Sequence, residues 1–368
     1  MALQTHNNLR VGILTGGGDC PGLNAAIRSV AKTLMLTSNA EIIGIADGFL
    51  GFIERRSRPI SYQDCSGIFA LGGTIIGTCN RADPFNYNGR DCSGEVKAYY
   101  DQLQLDALVI IGGDGTLSIG YELSKLGINV VGVPKTIDND LMCTERTFGF
   151  DTAVSIVTDA IDRLRTTGQS HKRIMIVETM GRNAGWIALH AGVAGGADSI
   201  LIPEYPYDIQ RVAKACTERM GSHHFSIVVV AEGARPVNGR VSVRENIAGS
   251  PEPSRLGGIG EQLKVQLGQF MDAEIRATTL GHIQRGGSPT SFDRIFATNL
   301  GSYAAKLVES KQFNRAVIQK GNRLSHVALE SVANKTRNVP ADDLTLQTAI
   351  AMGICFGTPD LKAFPHVM

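Results

Sequence analysis

Between Val133 and Asp140 the chain reads VPKTIDND. A lysine, a threonine and two aspartates follow directly on an apolar run. Those groups suit phosphoryl transfer. A hydroxyl nucleophile needs a base within hydrogen-bond reach, and a moving phosphoryl group needs cations around it. Asp138 and Asp140 alternate with Asn139, so an extended segment would turn both carboxylates to one side. One would accept a proton and the other would orient a ligand or face a metal. Thr136 would meet a phosphate oxygen or a sugar. The same residues also read as an Asx-turn cluster that merely caps a loop.

Two glycine-rich turns precede this stretch. In TGGGDCPGLNAAIR (15–28), Gly16, Gly17 and Gly18 carry no Cβ, so a phosphate could approach the backbone beside a helix N-terminus. The text is neither a Walker A loop nor G-x-G-x-x-G, and by itself it reads equally as a plain tight turn. In GGDGTL (112–117), Asp114 stands at a strand end next to glycines. A carboxylate there suits magnesium on a polyphosphate; an N-cap for a helix over 117–126 explains it as well.

Further cations stand at loop ends. ETMGRNAGWIA (178–188) carries Arg182, Arg173 precedes the same strand, and EIRATTLGHIQRGGSP (274–289) carries Arg276, His282 and Arg285. Arginine holds phosphate through a planar fork. The whole chain has 36 basic and 35 acidic side chains, a net of +1. No global field therefore draws nucleic acid or an anionic membrane, and an anion must be held by a local cluster.

The elements that must position these groups follow from apolar runs alternating with helical periods. RVGILT (10–15), EIIGIA (41–46), ALVIIGG (107–113) and INVVGVP (128–134) read as strands. Leu23, Ala26, Ile27, Val30 and Leu34 fall on one face of a helix over 20–36, with Pro21 in its first turn. The alternation restarts after residue 150 with helix 152–167, strand 173–179, a helix over 184–194, SILIPE, helix 208–220 and SIVVVAEG. Apolar strands separated by helices imply an α/β protein of two lobes, each a mostly parallel sheet flanked by helices. The expected donor-nucleotide lobe is 1–150 plus about 270–310, and the expected acceptor lobe is 151–269 plus about 311–368. The stretch 234–260 has no period and reads as a long excursion or flap. Seven cysteines show no C-x-x-C or zinc spacing, which fits idle thiols in a reducing cytosol. The polar N-terminus is unlike a signal peptide, and no apolar stretch approaches the roughly 20 residues of a membrane span. A cytoplasmic protein is expected.

GGGDCPGLNAAIR, GGDGT, PKTIDND, ETMGRNAGWIA, VAEGA and LGHIQRGGSP together, in this order from residue 10 to about 310, closely resemble the 6-phosphofructokinase family. GGDGT alone occurs also in NAD kinases and lipid kinases, which lack the TIDND and GHIQRGGSP blocks. The resemblance implies transfer of the terminal phosphoryl group of ATP to the 1-hydroxyl of fructose 6-phosphate, with Mg2+. It implies Asp138 as the base, with Asp140 and Thr136 orienting the sugar and the moving group. Asp114 would face the metal. Gly17, Gly18, Gly115 and Thr116 would line the donor, and Arg182 would stabilise transition-state charge. Met180, Gly181 and Glu232 would touch the sugar, and Arg173, Arg276, His282 and Arg285 would hold its 6-phosphate. In the family the equivalents of Arg173 and Arg276 reach across from a neighbouring subunit, which implies a homo-oligomer built as a dimer of dimers.

Departures from the family pattern bear on the donor and on regulation. The donor arginine that follows GGT-x-x-G-[ST] in ATP-type members has Arg81 as its candidate here, beside Asn80. Pyrophosphate-type members read GGDD, and this chain has Gly115 at the second aspartate. They also carry lysine before TIDND, and this chain has Lys135. Gly115 leaves room for a nucleotide and a lysine excludes neither donor, so ATP is expected and pyrophosphate is the alternative. Arg28, Lys32, Arg165 and Asp198 match a family effector site, but Gly221 and His223 replace basic residues there. A non-catalytic nucleotide or sugar-phosphate sensor is a further reading, against which Asp138 argues because a sensor needs no base. A nicotinamide oxidoreductase lacks its G-x-G-x-x-G.

Overall fold

Runs of Val, Ile and Leu too apolar to face water form the centres of two sheets. The structure, a computed structural model, describes residues 8–246, 254–359 and 361. The first lobe contains β1 (Arg10–Thr15), β2 (Glu41–Ile45), β3 (Ser57–Pro59), β4 (Ala107–Gly112) and β5 (Val130–Pro134). Its helices are α1 (Leu23–Ser38), α2 (Phe49–Ile53), α3 (Ser93–Gln102) and α4 (Asp114–Lys125). The second contains α5 (Phe150–His171), β6 (Ile174–Thr179), α6 (Trp186–Ala194), β7 (Ser199–Leu201), α7 (Ile209–His223) and β8 (Ser226–Ala231). The short β9 (Val243–Asn246) and β10 (Ser254–Leu256), then α8 (Ile259–Leu267) and β11 (Ile275–Thr279), follow. The chain ends with α9 (Ser291–Glu309), β12 (Arg315–Lys320), β13 (Arg323–Ala328) and α10 (Leu344–Ala351).

The larger sheet runs β13-β12-β5-β4-β1-β2-β3 and the smaller β11-β6-β8-β7. Pairing is parallel except at the edges, where β3 and β13 run antiparallel to their neighbours. Strand order in the larger sheet reverses between β1 and β4, and a crevice opens at the carboxyl ends of strands at such a point. The three motif turns, after β1, β4 and β5, all lie at that edge. Val109, Ile110, Ile111, Val131 and Val133 are wholly buried in the first lobe, as are Ile176, Val177, Val228 and Val229 in the second. The central strands therefore read as continuous apolar runs, as sheets covered on both faces do.

The expected lobe boundaries shift at two places. β11 lies within 270–310 but pairs with β6 in the smaller sheet, from Ile275↔Ile174 to Thr279↔Glu178. β12 and β13 lie within 311–368 but extend the larger sheet beyond β5. Backbone pairing and the burial of Ala316, Val317 and Ile318 place β12 there. Between β11 and β12, α9 packs along α1 of the first lobe. Two helix starts also differ. Pro21 precedes α1, whose cap is Gly22 at φ 105°. α4 begins at Asp114 with Gly113 as its cap, so Asp114 stands in the first turn and is not the N-cap. The 234–260 excursion holds the antiparallel β9–β10 pair; residues 247–253 of it, like the first seven residues, lie outside the described ones. Among the described residues no helix is long and apolar enough to cross a membrane. All seven cysteines are free.

The α1–α9 contact is close because Gly301 has no side chain. A Cβ there would lie 2.7 Å from the Ala26 carbonyl oxygen and 2.9 Å from Ser29 Cβ. Exposed Gly221 in α7 has nothing within 4 Å of such a Cβ. The same change should thus have opposite signs. In urea unfolding, Gly301→Ala is expected to destabilise by about 1–3 kcal/mol through overpacking. Gly221→Ala is expected to be neutral or stabilising by up to about 1 kcal/mol through helix propensity.

Candidate active site

The segment after β5 leaves the sheet through a bridge, Lys135 pairing with Phe148, and then turns. It is not the extended run expected of alternating aspartates, because Asn139 is left-handed at φ 53°. Asn139 holds the turn: its side-chain oxygen accepts from the Thr147 amide at 3.0 Å, and the Thr147 hydroxyl donates to the Thr136 carbonyl at 2.7 Å. Thr136 Oγ1 accepts from the Asp138 amide at 3.1 Å. The turn-cluster reading thus accounts for Thr136 and Asn139, and it leaves the aspartates over.

Asp138 is only 5% exposed, and its Oδ1 is buried with no hydrogen-bond partner. Its Oδ2 lies 3.9 Å from Arg182 Nε. Burial, and then the neighbouring Asp138, push Asp140 up to about 7. Two carboxyls in one poorly solvated place cannot both ionise freely. Lys135, 3% exposed, donates to the Gly18 carbonyl. Burial lowers it to about 8, against the pull of Cys20 and Asp138 and with the push of Arg285 and Arg182. At neutral pH it is mostly a cation.

The glycine turns meet this cluster. A Cβ on Gly17, at φ 75°, would lie 3.6 Å from both Lys135 Nζ and Thr116 Oγ1. Thr116 is buried between the first two turns, where a Cβ on either Gly16 or Gly112 would come within 2.6 Å of its hydroxyl. Those two positions exclude a side chain because α4 enters so close to the strand ends. Beside Gly115 there is open space, with nothing within 4 Å of a Cβ. Asp114, in the first turn of α4, accepts from Ser118 at 3.2 Å. Arg81 and Asn80 are exposed on a loop tied to the first turn by Gly17 N→Cys79 O, 3.3 Å.

The second lobe contributes its own strand ends. Gly181 lies at φ 135° and Arg182 at φ 50°, and the Arg182 amide donates to Glu232 Oε1 at 3.0 Å. The Met180 amide donates to Gln284 Oε1 at 3.2 Å. Arg285 crosses to the first lobe: its guanidinium lies on Gly18, and a Cβ there would fall 1.5 Å from Nη1. His282 is exposed on the same short turn. Arg173 and Arg276 stand elsewhere. Both pair with Glu274 at the amino ends of β6 and β11, Arg173 at 2.6 Å. Arg182 is beyond the carboxyl end of β6, about 17 Å along the strand at 3.3 Å per residue. The structure therefore brings Asp138, Asp140, Lys135, Arg182, Glu232 and Arg285 together and leaves Arg173 and Arg276 apart.

Of the expected effector residues, Asp198 pairs with Arg219 at 2.9 Å and accepts the Ile227 amide at 2.8 Å. Arg165 donates to the Gly195 and Gly196 carbonyls, while Arg28 and Lys32 lie over Phe69 and Tyr62.

Three supporting residues escape sequence reasoning. Gln284 is wholly buried inside a quoted motif and fixes Met180. Glu178 accepts the Gly258 and Gly260 amides at 2.9 and 2.8 Å, which pins the end of the 234–260 excursion to β6. Arg337 bonds to the Asn139 and Glu145 carbonyls at 2.7 and 2.9 Å. Gln284 and Glu178 were findable as polar residues inside apolar or motif text; Arg337 carries no local signal.

Glycine turns at a switch point, facing buried carboxylates and cations from a second α/β lobe, define the class of phosphotransferases. The family profile described as phosphofructokinase matches residues 10–308. The ATP-dependent 6-phosphofructokinase 2 of Clostridium perfringens is 47% identical over 358 residues, covering 94% of this chain and 98% of that protein. The pyrophosphate–fructose 6-phosphate 1-phosphotransferase of Amycolatopsis methanolica is 45% identical over 334 residues, covering 91% and 97%. Among solved structures, the Pichia pastoris phosphofructokinase in the T-state matches with a TM-score of 0.78 at 28% identity, over 96% of this chain and 37% of that one. This chain belongs to the phosphofructokinase family.

Glu232 gives a pH test of the site. Burial raises it to about 7, the Arg182 amide opposes that, and Asp138 adds to it. A raised carboxyl keeps its proton longer in the folded than in the unfolded chain. Its stabilising contribution is full below the usual value of 4.5 and is lost as pH rises through about 7. Glu232→Gln removes that loss and keeps an acceptor for Arg182. In urea unfolding the variant should match the parent at low pH and exceed it by about 1–2 kcal/mol near pH ~8, after discounting for partial solvent contact.

Proposed function

We propose that this chain transfers the terminal phosphoryl group of ATP to the 1-hydroxyl of fructose 6-phosphate, giving fructose 1,6-bisphosphate and ADP. One observation carries the reading: Asp138 is a buried carboxylate with an oxygen that no protein group satisfies, facing Arg182 across the cleft. A buried unpaired acceptor is expensive to maintain unless a ligand proton fills it.

Asp138 takes the proton of the 1-hydroxyl as the oxygen attacks phosphorus. Thr136 and Asp140 orient the sugar, and Asp140, held up near 7, keeps its own proton more readily than a free aspartate. Lys135 and Arg182 face the moving group with positive charge, which such a transition state requires. Gly17 and Gly18 let the donor phosphates approach the main chain, with Thr116 behind them and Arg81 at the rim. Met180, Gly181 and Glu232 border the sugar, and His282 with Arg285 faces its 6-phosphate.

Asp114 would hold a divalent metal, magnesium by the family's pattern. Magnesium takes one or two carboxylates and completes its shell with phosphate oxygens and water, and a single first-turn aspartate beside open space fits that donor set. When bound, the ion would neutralise charge on the donor phosphates.

Arg173 and Arg276, remote from this chain's own Asp138, would complete the 6-phosphate site of a neighbouring subunit, and a homo-oligomer built as a dimer of dimers supplies that neighbour. Seven free thiols suit the reducing cytoplasm. Buried Lys135 also suits pyrophosphate, the donor named for the Amycolatopsis relative. The open space beside Gly115 favours ATP.

A coupled assay with fructose 6-phosphate and each donor should show turnover with ATP. Turnover with pyrophosphate alone would replace ATP as the donor. Asp138→Asn should lower kcat by roughly 10²–10⁴-fold, the usual contribution of a general base, with binding of fructose 6-phosphate retained. Retained kcat would remove Asp138 as the base, and fructose 6-phosphate binding with no turnover in the parent would leave only a sensor.

Gly115→Asp should raise KM for ATP by at least about tenfold, since a carboxylate would occupy the open space and repel the nucleotide's phosphates. Unchanged ATP kinetics would refute the crowding argument.

A further inference from the structure

We propose that Arg337 is a positioning residue that fixes the Asp138 loop against the Arg182 loop, which deepens the reading above and rests on it. Among the described residues, the loop from Thr136 to Thr147 is tied to its own lobe's sheet only at its far end. There the Glu145 amide donates to the Gln319 carbonyl at 3.1 Å and the Gln319 amide to Thr144 Oγ1 at 3.0 Å. Between these bonds and Lys135 the loop passes through left-handed Asn139. Arg337 reaches it from 198 residues away in sequence. One guanidinium nitrogen, Nη2, donates to both the Asn139 and Glu145 carbonyls, at 2.7 and 2.9 Å, so it ties the two ends of the turn together. The Arg337 amide donates to the Asp140 carbonyl at 2.7 Å. Leu141 and Thr336 form an antiparallel bridge alongside.

The same residue is anchored to the second lobe. Its guanidinium stacks on Trp186, 4.3 Å from the ring centroid, and its carbonyl accepts the indole N–H at 2.9 Å. Trp186 opens α6, four positions after Arg182. Nearby, Glu204 Oε1 accepts both the Gly185 amide, at 3.0 Å, and the Val339 amide, at 2.8 Å. Residues 336–339 thus bond on one side to the loop that carries Asp138. On the other they bond to the start of the helix that follows Arg182. A planar guanidinium can bond in its plane and stack on its face at once; an ammonium cannot do both. The distance between base and transition-state cation is therefore set by a residue that touches neither.

The test uses the full chain with Arg337→Met, Arg337→Lys and Trp186→Phe. Displacing reacting groups by about 1 Å can cost 10²-fold in rate, so Arg337→Met should lower kcat by roughly 30–100-fold with KM for fructose 6-phosphate within about threefold. Arg337→Lys, which keeps a charge but not the fork, should lose about tenfold. Trp186→Phe keeps an aromatic face and both guanidinium bonds to the loop but loses the indole bond to the Arg337 carbonyl. Its kcat should fall between the parent and Arg337→Met, and a loss as large as that of Arg337→Met or none at all would count against the clamp. Trp186 is the single tryptophan, so its emission reports the stack directly. Emission should shift in Arg337→Met without ligand. If Arg337→Met does not fold, Arg337→Lys decides: parental kcat and parental emission overturn the proposal. In a folded Arg337→Met, kcat within about threefold of the parent, or a loss confined to KM, also overturns it. If the parent shows no turnover with either donor, the proposed function fails on its own. The clamp is then read by amide exchange over 137–147, where faster exchange in Arg337→Met upholds it and unchanged exchange overturns it.

Discussion

A carboxylate and an ammonium buried together at the end of one strand are the constraint on which this structure depends. Removing either ion from water costs several kcal/mol even after relaxation, and neither Asp138 nor Lys135 is more than 5% exposed. Lys135 recovers part of that through the Gly18 carbonyl. Asp138 recovers less, with Arg182 at 3.9 Å and one oxygen unsatisfied. A fold keeps such a pair only when the surrounding backbone leaves it no alternative. Here β5 is central in a parallel sheet, and its carboxyl end emerges beside β4, one strand from the point where the order reverses between β4 and β1.

The glycines follow from that placement. Bringing a helix N-terminus and two strand ends into one crevice leaves no volume beside Thr116 for Cβ atoms at Gly16 or Gly112, while at Gly18 the space is taken by the movable Arg285 guanidinium. Gly115 is different. It faces open space, so its lack of a side chain serves whatever enters the cleft and not the packing. The distinction separates glycines that build the crevice from the one that shapes what it admits.

Much of this was legible in the sequence. β1, β4, β5, β6 and β8 announce themselves as apolar runs, and the three turns follow them where the text places them. What stayed hidden depends on pairing over long separations. β11, IRATT, alternates too weakly to declare its sheet, and nothing in the text of β12 and β13 says which sheet receives them. That Arg173 precedes the strand and Arg182 follows it was readable from the text; that Arg276 lies beside Arg173, both against Glu274, was not, because it depends on β11 pairing with β6. Arg337 acts on main-chain carbonyls, and a carbonyl has no side-chain identity, so no residue near position 139 signals the partner.

The chain crosses between its sheets more than once, and this bears on how the site is held. It leaves β5 for α5, returns after β11 into α9, and finally lays residues 336–339 against both strand ends. At the second crossing, Asp293 of α9 accepts the amide and hydroxyl of Thr152 in the first turn of α5, at 2.8 and 2.6 Å, and Thr290 bonds Asp151 at 2.7 Å. Each crossing ties a helix start or a catalytic loop of one lobe to the other. A two-lobed enzyme joined by a single hinge would set its base-to-cation distance by closure alone. In this chain the distance is written into covalent crossings and buried hydrogen bonds, so rearranging the cleft means breaking bonds that also support the fold.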